Sequence, residues 1–121
     1  MLTTRLISRR MILLALVFGS ILPGCALSAS YGSQGCSLEE GEMIYRRACG
    51  SCHDNGAGGA QVIGDREGWR SRIEKGMEQL VRHSIDGYSG AVGHMPPRGG
   101  DPALSDAEIA ASVCYLVEKS R

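Results

Sequence analysis

The sequence predicts an all-α domain, about four helices joined by long glycine- and proline-rich loops. Two helix starts are written as Ser-x-x-Glu, at Ser37-Leu38-Glu39-Glu40 and Ser105-Asp106-Ala107-Glu108. In that pattern the serine hydroxyl accepts from a free amide of the first turn and the glutamate reaches back to the serine amide. No segment alternates apolar and polar residues as a half-buried strand does. Residues 87–103 hold five glycines and three prolines, which excludes regular structure there.

Taken in order, the first helix runs from Leu38 to Cys49. Residues 54–64 (DNGAGGAQVIG) form a loop, and not a phosphate-binding one, since no strand precedes it and no lysine with a following serine or threonine ends it. Residues 65–75 and 77–86 read as two short helices, each closed by a glycine, Gly76 and Gly87, in the left-handed conformation. Leu80, Val81 and Ile85 give the second of these an apolar face. Ile109, Val113, Leu116 and Val117 recur at helical spacing in the last helix, which reaches about Lys119.

The first 25 residues read as an export signal. Arg5, Arg9 and Arg10 precede an uncharged apolar run, Met11 to Leu22, too short to span a bilayer comfortably. Two processing routes stay open: ordinary cleavage after small residues near Ala26 to Ser30, or lipidation at Cys25, where Leu22-Pro23-Gly24-Cys25 looks like a lipobox. Residues 26–36 are small and polar and read as a tether, leaving residues 37–121 as the domain. Three of the 13 basic residues and none of the 13 acidic ones lie in the leader, so the mature chain carries ten against thirteen, a net charge of −3. That balance argues against nucleic acid as a partner. The single phenylalanine, Phe18, leaves with the leader and Trp69 is the single tryptophan. So few large apolar side chains imply that another group fills the middle of the domain.

The segment Cys49-Gly50-Ser51-Cys52-His53 points to that group. In an exported protein, Cys-x-x-Cys-His reads as attachment of a c-type haem, with both thiols joined to the porphyrin and the adjacent histidine on the iron. Two rivals are weaker. A redox-active dithiol needs a βαβ setting. A zinc site built from Cys36, Cys49, Cys52 and His53 has suitable ligand types but irregular spacing, and adjacent Cys52 and His53 would strain a tetrahedral pair.

With His53 on one axial position, the candidates for the other are Met43, Met77, Met95, His83 and His94. Met43 and Met77 stand at helical positions usual for core methionine, and His83 reads as a solvated mid-helix residue. Met95 is followed by Pro96 and Pro97, which exclude helix and hold the backbone extended, so that a stiff segment presents one side chain. Met95 is therefore the preferred ligand, with His94 as competitor.

The residues Gly41 and Tyr45, the Cys49–His53 segment, Gly64-Asp65, Trp69-Arg70-Ser71-Arg72-Ile73, Gly87-Tyr88 and Met95-Pro96-Pro97-Arg98-Gly99-Gly100 together resemble a class I c-type cytochrome, in particular the cytochrome c5-like group. The resemblance covers roughly residues 37–119. It implies the cytochrome c fold around one covalent haem c, with the first and last helices crossing at Gly41 and Tyr45 and Tyr115 packed about the crossing. Gln61 stands where such proteins often have proline, and its carbonyl is expected to accept from His53. Trp69, Arg72 and Arg98 are candidates for holding the haem propionates. Cys36 and Cys114 remain as an even pair, either bridged or with Cys114 a buried free thiol.

The function expected is electron transfer, without enzyme activity: a periplasmic mono-haem cytochrome, soluble or lipid-anchored, monomeric, passing single electrons between redox proteins of the periplasm or inner membrane. The alternative is a haem enzyme or sensor in which Met95 leaves the iron.

Overall fold

The computed structural model describes residues 36–121. The leader at 1–25, Cys25 and the tether up to residue 35 lie outside the described residues. No described helix is long and apolar enough to cross a membrane.

The first helical rod is longer and less regular than the sequence suggested. It begins at α1 (Leu38–Ile44), where Ser37 Oγ accepts from the Glu40 amide at 3.3 Å. It continues as a π turn over Tyr45–Cys49 and ends as α2 (Gly50–His53). A π turn closes i→i+5 hydrogen bonds, here Gly50 N–H to the Tyr45 carbonyl, and so rotates all that follows relative to an ordinary helix. The motif cysteines sit at the end of that rotated stretch.

Helix α3 spans Arg66–Ile73, capped by Asp65, whose carboxylate accepts from the Gly68 amide at 3.1 Å. Helix α4 spans Met77–Asp86. Its bounding glycines depart from the left-handed helical conformation expected of them. Gly76 (φ 89°, ψ 155°) and Gly87 (φ 85°, ψ 158°) combine positive φ with extended ψ, a region open in practice to glycine alone. Helix α5 spans Asp106–Lys119 and carries a complete capping box, Ser105 Oγ accepting from the Glu108 amide while the Glu108 carboxylate accepts from the Ser105 amide.

Residues 87–103 contain more order than their glycines and prolines suggested. Strands β1 (Tyr88–Ser89) and β2 (His94–Met95) pair antiparallel, Tyr88 opposite Met95 and Ser89 opposite His94. A tight turn follows at Pro97–Gly100, with Arg98 and Gly99 in the left-handed conformation. Such short pieces are held by the tertiary setting and leave no periodic trace in sequence.

The architecture rests on α1 crossing α5. At Gly41 an added Cβ would run into the Ala111 carbonyl and lie 2.8 Å from Tyr115 Cβ, so the two backbones meet where one side chain is missing. Tyr45 and Tyr115 pack beside the crossing with their rings tilted at 49° and 5.4 Å between centroids. With Trp69 and Leu116 they form one apolar cluster; Ile44, Leu104 and Ile109 form a second. A disulfide joins Cys36 to Cys114, Cα atoms 6.1 Å apart, fastening the start of α1 to α5 on the side of the crossing. Cys114 is thus bridged.

Candidate haem site

The free thiols Cys49 and Cys52 and the imidazole of His53 lie on the last turns of the first rod. Cys49 is half-buried, its sulfur 3.9 Å from Ser112 Oγ on α5, and burial raises its pKa. Cys52 is exposed. The zinc alternative loses its ligands, because Cys36 is bonded to Cys114 and the described residues hold no cluster of three or more metal-binding side chains. The dithiol alternative lacks its βαβ setting, the described residues offering one pair of two-residue strands.

His53 is oriented by the loop that follows it. Its Nδ1 lies 2.8 Å from the Gln61 carbonyl, so the proton sits on Nδ1 and Nε2 keeps its lone pair for a metal. The proline rigidity missing at Gln61 is replaced by polar ties. The Gln61 amide donates to Asp65 Oδ2 at 2.6 Å, the Ile63 amide returns to the His53 carbonyl at 2.8 Å, and the Trp69 indole donates to the Val62 carbonyl at 2.7 Å. Three successive residues are therefore each pinned. At the other end of the motif the Tyr45 hydroxyl donates to Asp54 Oδ1 at 2.6 Å, bridging the π turn and α2 from one end to the other. Burial, then the adjacent carboxylate, keeps that phenol protonated well above its ordinary range.

Met95 is half-buried on β2. Its loop meets the motif region at two points. An added Cβ on Gly93 would collide with the Gly58 carbonyl, and one on Gly99 would lie 2.9 Å from the carbonyl of Ala48, the residue before Cys49. Gly87 is packed as closely, an added Cβ lying 3.1 Å from the Met95 carbonyl. The loop is seated on both flanks of the cysteine-histidine segment and on the end of α4.

The other candidates sit elsewhere. Met43 is 63 % exposed on α1, outside the core position expected for it. His83 is not simply solvated: its ring stacks on Tyr88 at 4.3 Å between centroids. His94 is exposed, with Nδ1 2.8 Å from Ser89 Oγ on the neighbouring strand.

Trp69, Arg72 and Arg98, the candidates for holding the propionates, have donors with partners within the protein. Trp69 is buried, its ring 6.3 Å from that of His53, and its N–H is spent on Val62. Arg72 is exposed and donates to the Gly68 carbonyl at 2.5 Å within its own helix. Arg98 donates to the Leu104 carbonyl at 2.8 Å and pairs with Asp106 at 2.6 Å. Sequence reasoning missed the Tyr45–Asp54 and Gln61–Asp65 bonds. Only the Asp65 cap, four residues after Gln61, left a readable sign of the second.

The residues present suit a covalently held haem: two free thiols spaced by two residues, a histidine with a fixed tautomer, and a facing loop that carries a thioether. Comparison with known proteins agrees. Residues 37–116 match the family model described as cytochrome c oxidase, cbb3-type, subunit III. The cytochrome c-555 of Chlorobaculum tepidum is 39 % identical over 100 residues, 83 % of this chain and 93 % of that protein. The cytochrome c5 of Ectopseudomonas mendocina is 29 % identical over 83 residues, 67 % of this chain and 91 % of its own length. Among solved structures, a chain from the electron transfer complex of nitrite reductase with cytochrome c superposes with a TM-score of 0.61 at 35 % identity, covering 68 % of this chain and 95 % of that one. The fold, the motif and the relatives together place the chain in the class I c-type cytochromes, c5-like, an electron-carrying family whose cofactor is covalently bound haem c.

Proposed function

We propose that the protein is a periplasmic carrier of single electrons, with Cys49 and Cys52 as the haem attachment thiols and His53 and Met95 as the two axial ligands. When bound, haem c supplies a one-electron couple at its iron, which a thioether ligand biases toward the reduced state. The carrying observation is the His53 to Gln61 bond at 2.8 Å, which fixes the imidazole with its unprotonated nitrogen available. On the other side, Pro96 (φ −68°, ψ 154°) holds an extended backbone just after Met95 and fixes the direction from which the thioether is offered. Two protein ligands leave no position for a substrate, in keeping with transfer of electrons alone. The partners are then redox proteins, as nitrite reductase is for the cytochrome c in the related complex.

The test is spectroscopic. The oxidised wild-type protein should show the near-infrared methionine-to-iron band, and Met95→Ala should abolish it while keeping haem attached. A five-coordinate high-spin wild type that binds carbon monoxide at neutral pH would overturn the ligand set in favour of an enzyme or sensor. Fractionation of the expressing bacterium should find the protein on the periplasmic side, whether soluble or membrane-attached through Cys25.

A further inference from the structure

We propose that Arg98 is the positioning residue of the methionine loop, a strap that ties the segment following Met95 to the start of α5 and so holds the thioether in place. The inference rests on the reading of Met95 as ligand and goes beyond it, by naming what keeps that ligand from leaving.

Three observations carry it. Among the described residues, Arg98 is the one non-glycine residue at positive φ (φ 54°, ψ 28°). A long side chain adopts that conformation only where its surroundings hold it there. The guanidinium supplies the hold, donating through Nη1 to the Leu104 carbonyl at 2.8 Å and forming an ion pair through Nη2 with Asp106 Oδ1 at 2.6 Å. One side chain thus spans from the turn after Met95 to both the segment entering α5 and the first residue of α5.

The pair is also unlike the other ion pairs of the described residues. Those five place arginine side chains that are 52–74 % exposed, and exposed pairs of that kind contribute little. Arg98 is only 26 % exposed. Its hydrogen bond to Leu104 competes less with water, although Asp106 itself is 56 % exposed, and an arginine fork reaches two acceptors at once as a lysine does not.

Finally, the strap acts on a loop clamped from its other face. Gly99, next to Arg98, lies against the Ala48 carbonyl immediately before Cys49. Arg47, one residue earlier, pairs with Asp101 at 3.1 Å. The turn after Met95 is therefore held between the end of the first rod and the start of α5. Releasing Arg98 frees it on the α5 side, and Met95 moves with it.

The experiment uses the purified holoprotein in its oxidised form and reads displacement of the methionine by added imidazole. Apparent imidazole affinity is the intrinsic affinity multiplied by the fraction of molecules in which the methionine has swung away. Arg98→Gly removes the hydrogen bond and the ion pair while accommodating the positive φ. It should keep the near-infrared methionine band and bind imidazole about tenfold more tightly or better, the size expected for loss of a charge-assisted hydrogen bond. Arg98→Lys should fall between the two, and Asp106→Asn should raise the affinity by a smaller factor. A role confined to general stability would lower the denaturation midpoint and leave imidazole affinity at the wild-type value; that result overturns the strap. A wild type without the methionine band overturns the ligand reading and this inference together, whereas a normal band with unchanged imidazole affinity overturns the strap alone.

Discussion

Removing the Cys36–Cys114 bridge by the double substitution Cys36→Ser, Cys114→Ser should destabilise the folded protein substantially without altering the iron's ligands. The bond closes a loop of 78 residues by sequence separation, nearly the whole domain. A crosslink of that span removes chain entropy from the unfolded ensemble worth about 4.5 kcal/mol at room temperature in the loop-closure model. The native state should lose little in return. Cys36 lies at the exposed start of the described chain, Cys114 is half-buried, and the Gly41 crossing with its Tyr45–Tyr115 contact stays intact. With a guanidinium slope of about 3 kcal/mol per molar for a domain this small, the midpoint should fall by roughly 1.5 M. The assay is guanidinium unfolding of the two holoproteins, followed by far-UV dichroism and by the methionine band, with wild type in reductant as a third curve that should match the variant. The reasoning fails if the variant lies within about 1 kcal/mol of wild type, for then the crosslink does not restrict the unfolded chain as its span requires. It fails earlier if the unreduced wild-type holoprotein, denatured, reacts with two equivalents of a thiol reagent.

Two other expectations concern the first rod. Gly41→Ala forces a methyl group against the Ala111 carbonyl and Tyr115 Cβ, neither of them free to swing aside, and should cost about 1–3 kcal/mol or prevent folding; an unfolding midpoint equal to wild type would show that the helices do not meet there. Tyr45 titrates in the unfolded chain near its ordinary value of 10.0 but is held protonated in the fold, by burial first and by Asp54 second. The folded state then retains a proton that the unfolded state releases, so its contribution is complete below pH 10 and is lost as pH climbs beyond it. Tyr45→Phe should cost about 1 kcal/mol at pH 7 through the lost hydrogen bond, and should also flatten the decline in stability between pH 9.5 and 11. Parallel declines in variant and wild type, measured by urea unfolding, would refute the assignment.

The parts legible in the sequence are those whose cause is local or whose chemistry is stereotyped. The Ser37 and Ser105 caps lie within one turn of their partners, and both form, the second with its full reciprocal pair. The Cys49–His53 segment carries its meaning in spacing alone. Gly41 was legible through resemblance, because a bare backbone at a helix crossing has no local signature. What could not be read depends on where distant segments come to rest. The π turn at Tyr45–Cys49 shifts one hydrogen-bond register and changes no residue pattern. With Cys25, Cys49 and Cys52 set aside, the remaining pair allowed a Cys36–Cys114 bridge, but only the α1–α5 crossing brings their Cα atoms to 6.1 Å. The protein partners of the arginines were illegible for a related reason. Arg98 stands in the motif most suggestive of the haem, yet its conformation directs it to Leu104 and Asp106, acceptors that a loop of glycines and prolines places by its turns.

A division of labour follows from these positions. The apolar clusters of Tyr45, Trp69, Tyr115 and Leu116, and of Ile44, Leu104 and Ile109, fix the crossing of the helices. They do not by themselves orient His53 or Met95, which are governed by polar ties: Gln61 carbonyl to imidazole, indole to Val62, guanidinium to Leu104 and Asp106. For a protein that exchanges only electrons this separation has a physical use. Charge at the iron changes by one unit in each transfer, and any ligand or dipole free to relax would add to the barrier, so groups fixed beforehand lower it. Hydrogen bonds are directional and packing is not, so the short ties in the two loops restrict His53 and the Met95 segment more tightly than an apolar wall. The two loops also meet each other, Gly93 against Gly58, so loosening either one loosens the support of the other. A core substitution away from both loops should therefore lower the stability of the whole domain while leaving the reduction potential nearly unchanged, and a substitution in either loop should do the reverse.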